Sequence, residues 1–226
     1  MRVREREGRL YADDVVRGLP HIAPAHPLAS EWTARRKSAR RLRQYLAQQS
    51  RPLTILDLGC GNGWLAHSLS TLPGVSVCGL DVNRLELEQA ARVFGGADRL
   101  QFCFGDVFSA ALPAFDVIIV VSAIQYFSDL PALLNRLRTL LSSAGAIHIL
   151  DSPLYAANDV RAAQARTERY YAALGFPDCA ADYHHHPWTA LAPFRPVVLY
   201  DPRRPLNRLK RRLGWGSPFP WIKLAA

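Results

Sequence analysis

The stretch Ile55-Leu56-Asp57-Leu58-Gly59-Cys60-Gly61-Asn62-Gly63-Trp64-Leu65 constrains the fold more than any other part of the chain. An apolar run of strand length passes directly into three alternating glycines and then into a helix-forming segment. Glycines at such a turn let a nucleotide-type ligand approach the backbone, and the N–H groups at the helix start face the crevice beyond the strand end. The dinucleotide pattern G-x-G-x-x-G is not met, because its sixth position is Trp64. Asp57, two residues before the first glycine, would repel a diphosphate and favour a ligand bearing an ammonium group. S-adenosylmethionine carries an ammonium, a sulfonium and no phosphate.

The rest of the chain supports a doubly wound α/β fold. Short apolar runs at 54–58, 75–80, 100–104, 117–121 and 146–150 alternate with helix-period segments, as strands buried on both faces of a parallel sheet do. Leu87, Ala90, Ala91 and Phe94 recur at helical spacing, as do Leu130, Leu133, Leu134 and Leu137, and these stripes are core. A later helix, carrying Val160, Ala163, Thr167, Tyr170, Tyr171 and Leu174, is expected to start at Asn158 or Asp159 as N-cap and to stop at Gly175. Segments 197–200 and 220–224 are expected to be two further strands. Ahead of the sheet, Leu28, Trp32, Ala39, Leu42 and Leu46 fit a helix whose other face is basic, packing on the sheet edge or covering the cleft. At 226 residues and 49% apolar composition the chain reads as one globular domain, with 1–51 an N-terminal basic helical cap and 52–226 the ligand-binding domain. Within the latter, 155–195 is expected to form the lid and acceptor region and 196–226 the C-terminal strands and basic segment.

With Asp57, Gly59, Gly61 and Gly63 matching D-x-G-x-G-x-G, the sequence resembles the class I S-adenosylmethionine-dependent methyltransferases, over roughly residues 50 to 155. It is most similar to the bacterial small-molecule (type 11-like) group. The resemblance implies a mostly parallel seven-stranded sheet and S-adenosylmethionine as cofactor. It implies that Asp81, at the second strand tip, accepts the ribose hydroxyls. It further implies that Asp106 accepts the adenine amino group while the Val107 amide meets a ring nitrogen. The cofactor-binding set expected is Asp57, Gly59, Cys60, Gly61, Gly63, Asp81, Val82, Asp106, Val107 and Ser122.

Methyl transfer from a sulfonium is intrinsically downhill, so an enzyme for it mainly aligns the acceptor and excludes water. A base is required only when the acceptor arrives protonated. The fourth strand ends Ser122-Ala123-Ile124-Gln125 rather than in an N/D-P-P-Y type motif, which disfavours adenine and glutamine amides as acceptors. Gln125, Tyr126 and Asp151 lie at strand ends and are expected to meet substrate. The run Tyr183-His184-His185-His186-Pro187-Trp188 follows the lid helix, and His184, His185 and Tyr155 are the candidate catalytic residues on the acceptor side. Consecutive imidazoles do not converge on one ion in regular structure, so no metal is expected.

The net charge of +9 is unevenly placed: residues 1–51 carry +7, residues 52–201 carry −5 and residues 202–226 carry +7. In the tail, Leu206, Leu209 and Leu213 recur at helical spacing among arginines and lysines. That pattern fits peripheral contact through 203–215 with an anionic membrane, and equally a helix docked on the sheet with its arginines in water, which is the preferred expectation. RNA methylation through the basic flanks and a non-catalytic or membrane-attached S-adenosylmethionine-binding protein are the alternatives. Nucleic acid is disfavoured as partner because stacking aromatics are not interleaved with the cations. An anionic small-molecule acceptor would use the same arginines. Neither a membrane span nor a secretory leader is visible and the four cysteines lack C-x-x-C spacing, so a cytoplasmic protein with reduced thiols is expected.

Overall fold

The computed structural model describes residues 2–213 and 216–226. Gly214 and Trp215, the end of the basic segment considered for membrane contact, lie outside the described residues.

Seven strands form one sheet among the described residues: β1 (Leu53–Leu58), β2 (Val75–Asp81), β3 (Leu100–Phe104), β4 (Phe115–Val121), β5 (Leu141–Leu150), β6 (Val197–Tyr200) and β7 (Trp221–Ala225). Their order is β3-β2-β1-β4-β5-β7-β6, with β3 through β5 parallel and β7 antiparallel to both its neighbours. The order reverses between β1 and β4, so the carboxyl ends of these central strands open a crevice, the usual ligand position in such sheets. The strands sit close to where the apolar runs put them. The fifth is longer than expected, because Leu141 pairs with Phe115 across a register shift.

Helices α1 (Arg2–Arg6), α2 (Asp13–Gly18) and α3 (Ala29–Ala47) precede the sheet. Helices α2 and α3 share its core, with Val16, Trp32, Leu42 and Leu46 buried in one cluster with Leu53, Ile55 and Val77, whereas α1 buries no residue. The crossover helices are α4 (Trp64–Ser70), α5 (Arg84–Phe94) and α6 (Leu130–Thr139). Leu130, Leu133, Leu134 and Leu137 of α6 are buried in the second cluster, against the other sheet face. On α5, Leu87, Ala90 and Phe94 are buried as expected, whereas Ala91 is exposed.

Helix α7 (Val160–Leu174) ends at Gly175 with φ 85°, the left-handed terminus that glycine supplies. Asp159 is its N-cap residue, but makes no side-chain capping bond, because residues 157–159 form a 3₁₀ turn that leads into the helix. Only Ala163 of α7 is buried. Its apolar and tyrosine stripe borders an open cleft instead of the core. Helix α8 (Pro205–Arg212) also departs from expectation, since it buries no residue and leaves Leu206, Leu209 and Leu213 exposed. It does not dock its leucines on the sheet.

Candidate functional site

The glycine turn after β1 is held open by its neighbours. Gly59 has φ 75°, and a Cβ there would stand 2.7 Å from the Ala123 Cβ. Gly63 caps α4, also at φ 75°, where a Cβ would lie 2.5 Å from the Phe102 ring. Gly63 therefore seats α4 on β3 and does not itself line the cleft. The Gly61 amide donates to Asp81 Oδ2 at 2.7 Å and the Asn83 amide to Asp81 Oδ1 at 2.8 Å, so the tip of β2 braces the turn.

These elements border a cleft of about 1610 Å³. Asp57, Asp81 and Asp106 all line it, as do Gly59, Cys60, Gly61, Val82, Val107 and Ser122. Asp57 is 2% exposed, and its Oδ2 has no hydrogen-bond partner. Burial, and secondarily the Asp81 charge, push its carboxyl up to about 7, against a hydrogen bond from the Ala66 amide that pulls it down. A buried carboxylate at the cleft wall with one oxygen unpartnered is what a ligand ammonium needs. The donor set fits S-adenosylmethionine.

The other cofactor-side positions divide by which part of the residue reaches the cleft. The Cys60 side chain packs on β2, where its Sγ would be 2.9 Å from a Cβ at Gly79, leaving the backbone for a ligand. Val107 buries its side chain in the core, and its carbonyl accepts from Arg136 Nε at 2.9 Å. Asp106 is exposed, and its Oδ1 accepts the Phe108 amide at 3.1 Å. Ser122 holds φ 54°, and its hydroxyl donates to the Asp151 carbonyl at 3.0 Å.

On the acceptor side Gln125, Tyr126, Asp151 and Tyr155 all line the cleft, with side chains in different environments. Asp151, expected to meet substrate, is buried, and its Oδ1 accepts from the hydroxyls of Ser38 in α3 at 2.6 Å and Ser217 at 3.2 Å. It borders the cleft, but its carboxylate ties α3, the end of β5 and the C-terminal segment together. Burial pushes this carboxyl upward despite both serines. Gln125 is also buried, with its Nε2 donating to the Ser122 carbonyl at 2.6 Å and its Oε1 unpartnered. Tyr126 is exposed and meets Tyr183 edge to face.

Neither His184 nor His185 is among the residues lining the cleft. The His184 amide donates to the Gln125 carbonyl at 2.7 Å. His185 is buried behind the wall, with Nε2 2.9 Å from Thr167 Oγ1 and Nδ1 unpartnered. Burial lowers its pKa, so the ring is neutral at pH 7. Thr167 does line the cleft, as do Tyr155, Tyr170, Tyr171 and Tyr183. Burial raises the pKa of all four phenols, which are hydroxyl donors rather than phenolates near neutrality. Among the described residues no three His, Cys, Asp or Glu side chains converge to hold a metal.

Sequence reasoning missed the N-terminal contribution. Arg4 donates to the buried Glu86 carboxylate at 2.7 Å, beneath Gly61, and Tyr170 of α7 donates to Glu7 at 2.7 Å. Asn83 and Glu86 at the start of α5 have the N-cap and N3 spacing of a capping pair, and that signal could have drawn attention to Glu86. No local pattern announces the contacts of Arg4 with Glu86 and of Glu7 with Tyr170, which are far apart in the chain.

A family profile described as "Methyltransferase domain" matches residues 49–192. Among curated proteins, the malonyl-[acyl-carrier protein] O-methyltransferase of Halalkalibacterium halodurans is 29% identical over 123 residues, which is 50% of this chain and 45% of that protein. The acetylserotonin O-methyltransferase of Rattus norvegicus is 29% identical over 174 residues, 73% of this chain and 39% of that protein. The chain thus spans under half the length of each of these two relatives. The solved magnesium protoporphyrin IX methyltransferase of Synechocystis PCC 6803, with bound S-adenosylhomocysteine, superposes with TM-score 0.59 at 13% identity, covering 94% of this chain and 93% of that one. A methyltransferase structure from Bacillus halodurans gives TM-score 0.56 at 17% identity, with 71% and 69% coverage. At these identities the two structures carry the fold. No described helix is long and apolar enough to cross a membrane.

Proposed function

The chain belongs to the class I S-adenosylmethionine-dependent methyltransferases, and from that premise we propose that it transfers the methyl group to an oxygen or nitrogen of a small, planar, anionic molecule. The observation that carries the cofactor half is the buried Asp57 carboxylate with its unpartnered oxygen in the cleft wall. When bound, S-adenosylmethionine supplies an electrophilic methyl. Asp57 takes its ammonium, the backbone of Gly59 to Gly61 lies against it, Asp81 offers its remaining lone pairs to the ribose hydroxyls, and Asp106 with the Val107 amide serves the adenine. Val82 and Ser122 border the same space. The acidic tips face a cation and would repel a dinucleotide phosphate.

The acceptor half rests on Tyr126, Tyr155, Tyr170, Tyr171 and Tyr183 around one cavity whose lining includes Lys37 and Arg166, together with Arg9 and Arg35, both ion-paired with Glu31. Aromatic faces hold a planar ring by stacking, and guanidinium groups hold a carboxylate or phosphate. Residues 1–51 act as a cap over this space. The O-methyltransferase names of the two relatives favour an oxygen acceptor. Such an acceptor must lose a proton, and the Thr167 hydroxyl stands between the cleft and His185. With the imidazole proton on Nδ1, Nε2 accepts from Thr167, which in turn accepts from the acceptor. His185 then serves as base through Thr167, and Tyr155 orients the acceptor as a donor.

Calorimetry with S-adenosylhomocysteine tests the cofactor half. Asp81→Ala removes the brace on the Gly61 amide together with the ribose acceptor, and is expected to weaken binding by about 30-fold, two hydrogen bonds to a charged group being lost. Unchanged affinity would sink the assignment. For the base, Thr167→Val is expected to lower kcat by about 100-fold with KM little changed. The wild-type pH–rate profile should be flat at neutrality and fall below pH 6.5, as the lowered His185 pKa requires. A Thr167→Val enzyme with the wild-type rate and profile removes His185 from the reaction.

A further inference from the structure

The two basic flanks, separated by most of the sequence, meet in the fold. Ser38 of α3 and Ser217 beyond α8 both donate to Asp151. Three residues along α3, the Arg41 guanidinium lies 3.8 Å over the ring of Tyr200, the last residue of β6 before the basic segment. Arg36 and Arg40 are exposed on the same stretch of α3. Helix α8 reaches the same ring, because a Cβ at Gly216 would stand 2.6 Å from Arg211 Cγ and 2.8 Å from the Tyr200 hydroxyl. Its Arg208, Lys210, Arg211 and Arg212 are exposed, and no acidic residue occurs from 202 to 226.

On this positive surface the leucines of α8 face water: Leu206 is 74% exposed, and Leu209 and Leu213 are each 55% exposed. Spaced at i, i+3 and i+7, they form one stripe along the helix. A nucleic acid or a phosphorylated small molecule would use the cations and leave this stripe in water. A second copy of the chain would set like charge against like charge. An anionic bilayer satisfies both features, taking lysine and arginine at the headgroups and leucine at the acyl boundary. We propose that α8, together with the exposed arginines of α3, docks this protein on an anionic lipid bilayer. Arg211 of α8 also lines the cleft, so docking brings the cleft mouth to the lipid surface. A helix of eight residues binds lipid weakly alone, and the adjoining α3 cations supply the second attachment that stable binding needs.

Flotation of the full chain decides this, using vesicles of phosphatidylcholine alone and vesicles in which every third lipid is phosphatidylglycerol. The protein is expected to float with the anionic vesicles only and to be released at high salt. Replacing Leu206, Leu209 and Leu213 together by serine should lower the partition coefficient by at least about tenfold. Arg208→Gln, Lys210→Gln and Arg212→Gln in combination should lower it by roughly 100-fold, each cation near an anionic surface contributing a few-fold. Both variants change exposed side chains, and unchanged S-adenosylhomocysteine binding verifies their fold. Absence of flotation, or equal flotation with both vesicle types, overturns the proposal. So does a leucine variant that floats like the wild type, because the surface is then purely electrostatic, as for RNA or free phosphate. A dimer in solution that the leucine variant dissociates would identify a second copy as the occupant and overturn it as well.

Discussion

Asp57→Asn is expected to weaken S-adenosylhomocysteine binding by roughly 100-fold, the cost of exchanging a buried charge-assisted contact with an ammonium for a neutral one. The same substitution should make the ligand-free protein more stable. Asp57 is buried with one oxygen unpartnered, and its carboxyl is pushed up to about 7. Below the unfolded value of about 4 it is protonated in both states and costs nothing. As pH rises from there, the unfolded chain ionises while the folded one resists, so stability falls until pH passes about 7, where the loss is complete. Thermal melts of the ligand-free protein should therefore show Tm declining from pH 4 to pH 8, and Asp57→Asn should flatten that decline and raise Tm at pH 8 by roughly 5 °C. Ligand affinity should run the opposite way in the wild type, climbing as Asp57 ionises, and be nearly flat in the variant. A variant that keeps wild-type affinity would place the ammonium elsewhere.

Asp151→Ala is expected to be a stability variant first. Its carboxylate accepts from two buried hydroxyls, Ser38 and Ser217, and its backbone sits at φ 49°. Truncation leaves both hydroxyls without their acceptor, at about 1–3 kcal/mol each. Alanine tolerates the left-handed backbone less well than aspartate, adding about 1 kcal/mol. A fall in Tm on the order of 10 °C follows for a chain of this size. Asp151→Asn keeps the acceptor oxygen and the backbone preference and should lose less than half of that. If Asp151 were instead a substrate contact, both variants would melt like the wild type and differ only in KM. Melting curves and KM measured on the same preparations separate the two roles.

Aspartate at 57, 81 and 151 looks alike in the sequence, each at the end of an apolar run, yet the three are put to different uses. Asp57 lines the cleft and keeps one buried oxygen unpartnered. Asp81 braces the glycine turn through two backbone amides. Asp151 is a knot between segments more than sixty residues away on either side, which no local reading could anticipate. His185 is similar: its place after the lid helix was legible, but that it stands behind Thr167 and outside the cleft depends on how α7 packs. The tail leucines carry the same lesson in reverse. Their periodicity correctly gave a helix, while their exposure follows from where α8 leaves the sheet.

Period and spacing alone determined the strands, the core stripes, the glycine turn and the acidic tips, because each depends on neighbours within a few residues and on the burial of apolar side chains between helix and sheet. The tertiary structure alone decided what each polar group does. Whether a carboxylate holds a ligand, a loop or another segment depends on which donors the rest of the chain brings within hydrogen-bond distance, and those donors come from Ser38, Ser217 and Arg4, far away in sequence and close only after folding.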